Sequence, residues 1–340
     1  MHSGGRKVSF GAAILGCAGL RLSAEEKAFF RDADPVGFIL FGRNIDDADQ
    51  IRNLTSDLRE TVGRDAPIFI DQEGGRVQRL RPPLARDWPA PLDHVRQYRD
   101  HAGRAMYLRY RIIAAELRAL GIDGNCAPML DVARPETHRF LRDRCYGETL
   151  DLVIEIGRAV AQGLSEGGVL PVIKHMPGHG LARLDSHLDL PRIAASEDEL
   201  DATDFAAFRP FSDIALGMTA HLVYEEIDPQ PATVSPTMIS LIRDRLGFGG
   251  LLMTDDISME ALSGSVADRG RASLDAGCDV VLHCNGDMDE MRALVDAAGT
   301  LTDTAQSRAE AALASRGESG EVDIADLADQ LEALPVERPA

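Results

Sequence analysis

The stretch VLPVIKHMPGHGLARLDSHLDL, residues 169–190, joins a short apolar run to a polar segment. Residues 174–190 contain one lysine, three histidines and two aspartates, interrupted by two glycines and a proline. A buried strand that ends in so many titratable groups is typical of a strand that carries a catalytic loop, because such a loop adds little to a hydrophobic core. Within the loop, Asp185 and His187 are close enough in sequence for the carboxylate to orient the imidazole for proton transfer near neutral pH.

An apolar run followed by an amphipathic helical stretch recurs along the whole chain, which predicts eight βα units. Eight units favour a closed (β/α)8 TIM-type barrel of the α/β class over an open doubly wound sheet, which usually has about five or six strands. We predict a single-domain barrel over residues 1–300, followed by one or two surface helices and a tail over residues 301–340. The predicted strands are residues 12–17, 36–41, 67–70, 126–130, 169–173, 215–220, 250–253 and 279–282.

Several helix boundaries can also be predicted from capping residues. Ser23 is the expected N-cap of the first helix, and Ser235 with Pro236 begins a later helix that Gly247 ends. Further helices are expected near residues 46–62, 102–120 and 199–213, and another places Val153, with residues at spacings of three and four, on one face.

Composition limits the possible partners and the compartment. The 340 residues include 36 basic and 55 acidic side chains, a formal charge of -19, which argues against a nucleic-acid-binding or anionic-membrane surface. The five cysteines are an odd number without a C-x-x-C pair, which argues against a disulfide framework and a structural zinc site and favours a reducing compartment.

The apolar run at residues 8–20 has two interpretations. Arg6 and Lys7 precede it, and Cys17 follows Ile14, Leu15 and Gly16, so the run resembles a short secretion signal with a lipid-attachment cysteine. The alternative is a buried first strand, which we favour because a closed barrel needs this segment. We therefore predict a cytoplasmic protein.

The polar residues of the predicted barrel follow the strands, so they should meet at one rim. Asp255 follows the seventh predicted strand together with Asp256, and strand alternation makes it difficult for both to face the mouth. Asp255 beside His187 would resemble the nucleophile and general acid of a retaining glycosidase, with histidine in place of the usual second carboxylate. The alternative is that Asp255 only caps the next helix. The other residues expected at this rim are Asp71, residues 131–148, residues 174–187, His221 and His283.

Basic and acidic residues near the strand ends could form a polar clamp for a sugar, because Arg forks donate to hydroxyls and Asp accepts from them. Asp71, Arg76, Arg79 and Arg144 are the candidates, although each could also be a solvated surface residue. The sequence has no phosphate-binding glycine loop for a nucleotide. It also lacks H-x-H and H-E-x-x-H, and His179 lies between two glycines and is expected to be mobile, so a metal-dependent hydrolase is the weaker alternative.

Four motifs in order along the predicted barrel resemble those of the bacterial β-N-acetylglucosaminidases of glycoside hydrolase family 3. They are DQEGGRVQR at residues 71–79, KHMPGHG at 174–180, DSH at 185–187 and TDDISM at 254–259. The resemblance implies a single-domain cytosolic enzyme of cell-wall recycling. Its expected substrates are peptidoglycan fragments that end in 1,6-anhydro-N-acetylmuramic acid, with or without peptide, from which it removes a non-reducing N-acetylglucosamine.

The same resemblance assigns roles to individual residues. Asp255 matches the nucleophile, His187 the mobile acid/base and Asp185 the partner of that histidine. The sugar-binding positions match Asp71, Arg79, Arg144, Lys174 and His175. Two positions depart from the family pattern: Met176 replaces the usual Phe, and Cys145-Tyr146 follows Arg144 where Ser-Phe is commoner.

We further expect no cofactor, no metal, no nucleic-acid or membrane partner, and a monomer. Three rival functions remain open from the sequence. The first is phosphorolysis, because a histidine acid/base would not repel phosphate as a carboxylate would. The others are a metal-dependent hydrolase and a sugar-binding protein without turnover.

Overall fold

The structure is a computed structural model that describes residues 9–182, 190–318, 320 and 322–336. Eight parallel strands form a closed barrel, in which each strand pairs with the barrel strands before and after it and the first pairs with the eighth. The predicted (β/α)8 fold is confirmed. The strands are Gly11–Gly16, Pro35–Leu40, Ile68–Ile70, Gly124–Asn125, Leu170–Met176, Leu216–Thr219, Leu251–Asp256 and Val280–His283.

The helices surround the barrel and bury one face each. Leu150–Glu166, for example, buries Val153, Ile156, Val160 and Leu164, as its sequence periodicity predicts. The α-helices are Ala24–Ala33, Ala48–Val62, Pro91–Tyr98, Ala102–Arg118, Arg139–Arg142, Leu150–Glu166, Glu197–Ala202, Pro236–Ser240, Val266–Ala276, Met288–Ala298, Asp303–Ala314 and Ile324–Glu332. Two short strand pairs lie outside the barrel, Gln72–Gly74 with Val77–Gln78 and Arg192–Ile193 with Val223–Tyr224.

The capping predictions agree with the structure. The Ser23 side chain accepts a hydrogen bond from the Glu26 amide at the start of the first helix. The Ser235 side chain accepts one from the Met238 amide, with Pro236 at the first helical position. The helix Pro236–Ser240 continues as a π-helical turn, Leu241–Arg245, and Gly247 follows with a φ of 73°, the left-handed conformation that ends a helix.

Two predicted elements were wrong in their extent. The fourth strand is Gly124–Asn125 rather than residues 126–130, because Pro128 has no N–H and the segment pairs with the fifth strand only irregularly. Residues 199–213 do not form one helix. Glu197–Ala202 is followed by a single 3₁₀ turn, Arg209–Phe211, since Pro210 cannot continue an α-helix.

The fifth strand is longer than predicted and matters most for the site. It continues from Leu170 to Met176, so Lys174 and His175 are strand residues and not loop residues. All seven residues of this strand are buried. The apolar pattern ends at Ile173 because the side chains beyond it are polar, although the backbone still pairs with the sixth strand up to Thr219.

The first strand is Gly11–Gly16, as the barrel interpretation of the N-terminal apolar run requires. The segment after the last barrel helix pairs with it: Leu301 donates its amide to the Phe10 carbonyl at 2.8 Å, and Ala12 donates to Gly299 at 2.9 Å. Beyond it, Ala309 and Leu331 join the main core. The domain boundary at residue 300 stays a prediction.

Two global expectations can be compared with the structure. All five cysteines are free and buried, as expected without a disulfide framework. Among the described residues, no helix combines the length and the apolar character needed to cross a bilayer.

Candidate active site

A cavity of about 490 Å³ lies at the carboxyl ends of the barrel strands. This is the end at which TIM-type barrels carry their active sites. The structure brings together the five predicted sugar-binding residues and the predicted nucleophile, since all six side chains line this one cavity: Asp71, Arg79, Arg144, Lys174, His175 and Asp255.

Two carboxylates share the basic side chains of the cavity wall. Asp71 accepts a hydrogen bond from Arg79 Nη2 at 2.9 Å and lies 3.3 Å from Lys174 Nζ. Glu73 accepts the two-pronged fork of Arg144 at 2.8 and 2.9 Å, and it lies 2.6 Å from Lys174 Nζ. Lys174 therefore bridges the two carboxylates, and the basic groups are held in fixed positions before a sugar enters.

The sequence interpretation missed Glu73. Its signal was present, because Glu73 is two residues after Asp71 and alternate residues of an extended segment share a face. Glu73 is only 1% exposed, and its cation partners come from distant parts of the chain, which a local pattern cannot reveal.

Burial and charge act in opposite directions on these groups. Burial alone would raise the pKa of Glu73, but Arg144 and Lys174 outweigh it and lower that pKa to about 2. For Asp71, burial is likewise outweighed by Lys174 and Arg79, which hold its pKa far below the usual range. Burial opposes the charge of Lys174, yet Glu73 and Asp71 raise its pKa above the usual value. Asp71, Glu73 and Lys174 therefore stay ionised near neutral pH.

A second buried carboxylate, Asp131, organises the two histidines of the KHMPGHG motif. Its Oδ2 lies 2.7 Å from His175 Nδ1, and its Oδ1 accepts the backbone amide of His179 at 2.7 Å. Asp131 was predicted only as part of the loop at residues 131–148, and its role could not be read from the sequence. One ligand atom from each of Asp131, His175 and His179 lies within 4.8 Å of the others, so these residues could hold a metal ion.

The expectation that His179 is mobile between its glycines was wrong. His179 is 6% exposed. Gly178 has a φ of 139°, which a residue with a side chain rarely adopts, and a Cβ on Gly180 would collide with the Val132 carbonyl oxygen. Both glycines therefore allow tight packing of the segment. Burial lowers the pKa of His179 to about 4, although Asp131 opposes this shift.

The seventh strand carries Asp255 and Asp256 to the cavity, and both residues line it. The register of this strand is irregular between Met253 and Asp256, which is why both aspartates face the mouth despite the expected alternation. The Asp256 carboxylate accepts hydrogen bonds from the Ser258 amide and hydroxyl and from the Cys284 amide. Asp255 caps no helix, because the next one begins at Val266 with Ser265 as its N-cap.

Other predicted rim residues have different outcomes. Asp185 and His187 lie outside the described residues, so their placement stays a prediction. His221 and His283 are not among the residues that line the cavity. His221 contacts the Asp256 carbonyl and Thr233, and His283 contacts Glu290, so both support strand ends. Arg76 does line the cavity, with its guanidinium 3.5 Å from the ring centre of Phe140.

Comparisons with known proteins identify the family of the chain. Residues 8–314 match the family described as Glycosyl hydrolase family 3 N terminal domain. A β-hexosaminidase from Tolumonas auensis is 38% identical over 283 residues, and the match covers 81% of this chain and 83% of that protein.

Solved structures of the same family superpose closely. The crystal structure of NagZ from Neisseria gonorrhoeae in complex with N-trifluoroacetyl-D-glucosamine has a TM-score of 0.83 and 31% identity, covering 96% of this chain and 98% of that chain. The family 3 β-N-acetylglucosaminidase from Paenibacillus sp. str. FPU-7 has a TM-score of 0.82 and 27% identity, covering 94% and 66%. The chain therefore belongs to glycoside hydrolase family 3 and is a glycosidase of the β-N-acetylhexosaminidase type.

Proposed function

We propose that this enzyme is a retaining exo-β-N-acetylglucosaminidase that works by double displacement. One observation carries the proposal: Asp255 lines the same cavity as Asp71, Arg79, Arg144, Lys174 and His175. A carboxylate that faces the sugar-sized cavity beside fixed donors and acceptors is the arrangement a glycosidase nucleophile needs.

In the first step, Asp255 attacks the anomeric carbon and His187 protonates the leaving oxygen. In the second step, His187 takes a proton from a water molecule as the water oxygen attacks the anomeric carbon, and the bond between that carbon and Asp255 breaks, so the sugar leaves with retained configuration. Asp185 holds the His187 imidazole in the tautomer that both steps require. Asp185→Ala should therefore slow the enzyme with an activated aryl leaving group as well as with an alkyl one, and an unchanged rate with both would contradict this pairing.

The ionised wall of the cavity is proposed to bind the non-reducing sugar. Arg79, Arg144 and Lys174 donate to hydroxyl and acetamido oxygens, while Asp71 accepts from hydroxyls. Their mutual contacts fix these groups in advance, so little side-chain entropy is lost when the sugar binds. The N. gonorrhoeae relative is described in complex with N-trifluoroacetyl-D-glucosamine, which supports a 2-acylamino sugar as the ligand here.

The proposed substrates are peptidoglycan fragments in which N-acetylglucosamine is linked to 1,6-anhydro-N-acetylmuramic acid, with or without peptide. The reaction belongs to cytoplasmic cell-wall recycling and is carried out by a monomer, without a cofactor and without nucleic-acid or membrane partners. Arg76 at the cavity could face the carboxylates of such an aglycone despite the net charge of -19. Comparing kcat/KM for fragments with and without peptide, in the parent and in Arg76→Gln, measures that preference.

The decisive experiment traps the covalent intermediate. A 2-acetamido fluorosugar should label Asp255, and mass spectrometry of the digested protein should place the adduct on the peptide that contains it. Asp255→Asn is the matched control and should give no adduct. An adduct on another carboxylate, or turnover by Asp255→Asn at the parent rate, would overturn the assignment.

Two rival reactions are separated by simple additions. If the enzyme is a phosphorylase, inorganic phosphate should give N-acetylglucosamine 1-phosphate in place of the free sugar. If it is a metal-dependent hydrolase, a chelator should abolish activity. Double displacement through Asp255 predicts free sugar in both conditions and no loss of activity with chelator.

A further inference from the structure

We propose that a cavity on the outside of the barrel, about 390 Å³ in volume, binds a small organic anion of the phosphate-monoester class. The cavity lies at the carboxyl ends of the helices Ala102–Arg118 and Leu150–Glu166, beside the segment that enters the last helix. Its lining includes Arg111 and Arg118, and none of its lining residues belongs to the cavity that contains Asp255. It is therefore a second site, separate from the glycosidase chemistry.

This cavity belongs to the end of the barrel opposite the active site. Arg118 Nη1 lies 3.6 Å from Asp123 Oδ2, and Asp123 immediately precedes the fourth barrel strand. The active-site cavity lies instead at the carboxyl ends of the strands. A ligand bound beside Arg118 would therefore not compete with the sugar.

Arg111 provides the observation that points to an anion. It lines the cavity and is only 9% exposed. In the part of the chain that the structure describes, its Nη1 has no hydrogen-bond partner and its guanidinium forms no ion pair. A guanidinium keeps its charge, and buried charges in proteins are normally paired because their removal from water is costly. An anion in the cavity would pair with Arg111.

An acidic side chain that Arg111 influences is engaged elsewhere. Glu166 accepts hydrogen bonds from Tyr107 and Gln162. These hydrogen bonds, with a smaller contribution from the charge of Arg111, lower the pKa of Glu166. Glu166 is exposed, so water and salt screen its charge and it offsets little of the cost of burying Arg111.

Arg118 adds a second positive charge with donors available to a ligand. Its Nε has no hydrogen-bond partner among the described residues. Its contact with Asp123 is long, at 3.6 Å, and that carboxylate also contacts Arg59 at 3.0 Å and Arg316. Arg111 and Arg118 are about two helical turns apart, so they lie on one face of their helix. Two cations suit a phosphate monoester, which carries a charge of about -2 near neutral pH.

The rest of the lining favours an organic ligand over a bare ion. Four lining residues have a methyl side chain or none, which leaves the space open: Ala115, Ala119, Gly167 and Gly320. Val322 and Ile324 add an apolar wall, and Ile324 is 37% exposed. Small organic ligands occupy cavities of about 300–1,000 Å³, so a body attached to the phosphate fits this volume and would cover the apolar wall.

Phenyl phosphate is the probe, because it joins the anion to an apolar body. Isothermal titration of the unchanged protein in chloride buffer should show one site, with weaker binding of inorganic phosphate and none of phenol. Arg111→Gln and Arg118→Gln should each weaken phenyl phosphate at least tenfold. Arg104→Gln, which alters an exposed arginine of the same helix outside the cavity, should not. No binding to the parent, or unchanged binding in both cavity variants, would overturn the proposal.

Thermal unfolding tests whether Arg111 is paired within the chain. Without phosphate, Arg111→Gln should not lower the thermal midpoint, since it removes a buried charge that has no partner. Phenyl phosphate should raise the midpoint of the parent and leave that of Arg111→Gln unchanged. Glu321→Gln tests the acidic residue next to the lining residues in sequence. Phenyl phosphate binding that appears only in Glu321→Gln would mean that the chain itself occupies the site, and would refute the proposal.

Diffraction removes any dependence on how well the variants fold. Crystals of the unchanged protein soaked in phenylarsonate, an analogue of phenyl phosphate, and measured at the arsenic absorption edge should show an anomalous peak beside Arg111 and Arg118. Peaks only in the active-site cavity or on other surface arginines would contradict the site. Titration and diffraction can fail while Asp255 is still labelled by the fluorosugar, so failure of this inference is distinct from failure of the proposed function.

Discussion

At the amino-terminal ends of the strands, Asp123 contacts three arginines and Asp279 contacts two. At the carboxyl ends, Asp71 and Glu73 share Lys174 and contact Arg79 and Arg144 respectively. Asp123 and Asp279 also accept backbone amides of a neighbouring strand, from Ile68 and Leu252 respectively. Each of these two aspartates immediately precedes a barrel strand, so its side chain connects that strand to the neighbouring one.

Asp71 and Glu73, at the carboxyl ends of the strands, have a different kind of hydrogen-bond partner. Among the described residues, the partners of the Asp71 and Glu73 carboxylates are the side-chain cations of Arg79, Arg144 and Lys174, and Asp71 lines the cavity. Burial and charge pairing are thus common to both ends and do not identify an active site. The distinguishing property is a charged group that lines a cavity and has hydrogen-bonding capacity left for a ligand.

The largest expected effect is a loss of catalytic activity without a loss of stability. Asp255→Asn should lower kcat/KM for an aryl N-acetylglucosaminide on the order of 10³-fold or more, because the amide cannot act as a nucleophile. Its thermal midpoint should change little. Asp256→Asn is the adjacent isosteric control, and its smaller expected loss reflects a carboxylate already bound by Ser258 and Cys284. Equal losses in both variants would contradict the assignment of Asp255.

At the amino-terminal ends of the strands, a substitution should lower stability and leave catalysis unchanged. Asp279→Asn leaves Arg243 and Arg308 without their carboxylate partner, so the free energy of unfolding should fall by about 3 kcal/mol. Urea unfolding measures this loss, and kcat/KM per folded molecule should remain at the parent value. A lower kcat/KM with unchanged stability would mean that the two ends are not functionally separate.

Glu73→Gln should affect both properties because it removes the carboxylate that holds Lys174 and Arg144. We expect kcat/KM to fall by about 10–100-fold, mainly through KM, since the cations that we propose to bind the sugar lose their fixed positions. The pH dependence provides a second measurement. The Glu73 pKa is lowered from 4.5 to about 2, so its stabilisation is complete above 4.5 and disappears as pH falls towards 2. The variant should lack this acid-dependent part of the unfolding curve.

The smallest effect concerns a carboxylate without a basic side chain in hydrogen-bonding contact. Glu116 accepts the Arg86 amide, and burial raises its pKa to about 7. Because the folded state favours the protonated form, Glu116 reduces stability progressively as pH rises from 4.5 to about 7. Glu116→Gln should therefore stabilise the protein by roughly 1 kcal/mol at about pH 8 and hardly at all at about pH 4. An exposed control, Glu136→Gln, should leave the pH profile unchanged.

The sequence predicted those features that depend on local order. Apolar runs located the barrel strands, and Ser23 and Ser235 located helix starts, because hydrophobic burial and capping act over a few residues. The fifth strand was predicted too short because polar side chains at Lys174 and His175 interrupt the apolar pattern, whereas the strand continues and its pairing with the sixth strand resumes at Met176 after a shift of register.

The sequence also predicted part of the site. The family resemblance supplied Asp71, Arg79, Arg144, Lys174, His175 and Asp255, and the cavity brings them together. Glu73 and Asp131 could not be assigned roles from spacing, since their partners lie 71 and 44 residues away in the chain. The interpretation of His179 failed because glycine permits tight packing as readily as motion.

The pairing of Gly11 with Thr300 brings the barrel's first strand and the end of its last βα unit together on the side away from the cavity. From this closure the chain continues into the helix Asp303–Ala314, so the place where the barrel closes is separate from the residues that line the cavity. The residues that close the barrel and the residues that line its mouth are therefore different parts of the chain, and the mouth could diversify in evolution without a change in how the barrel closes.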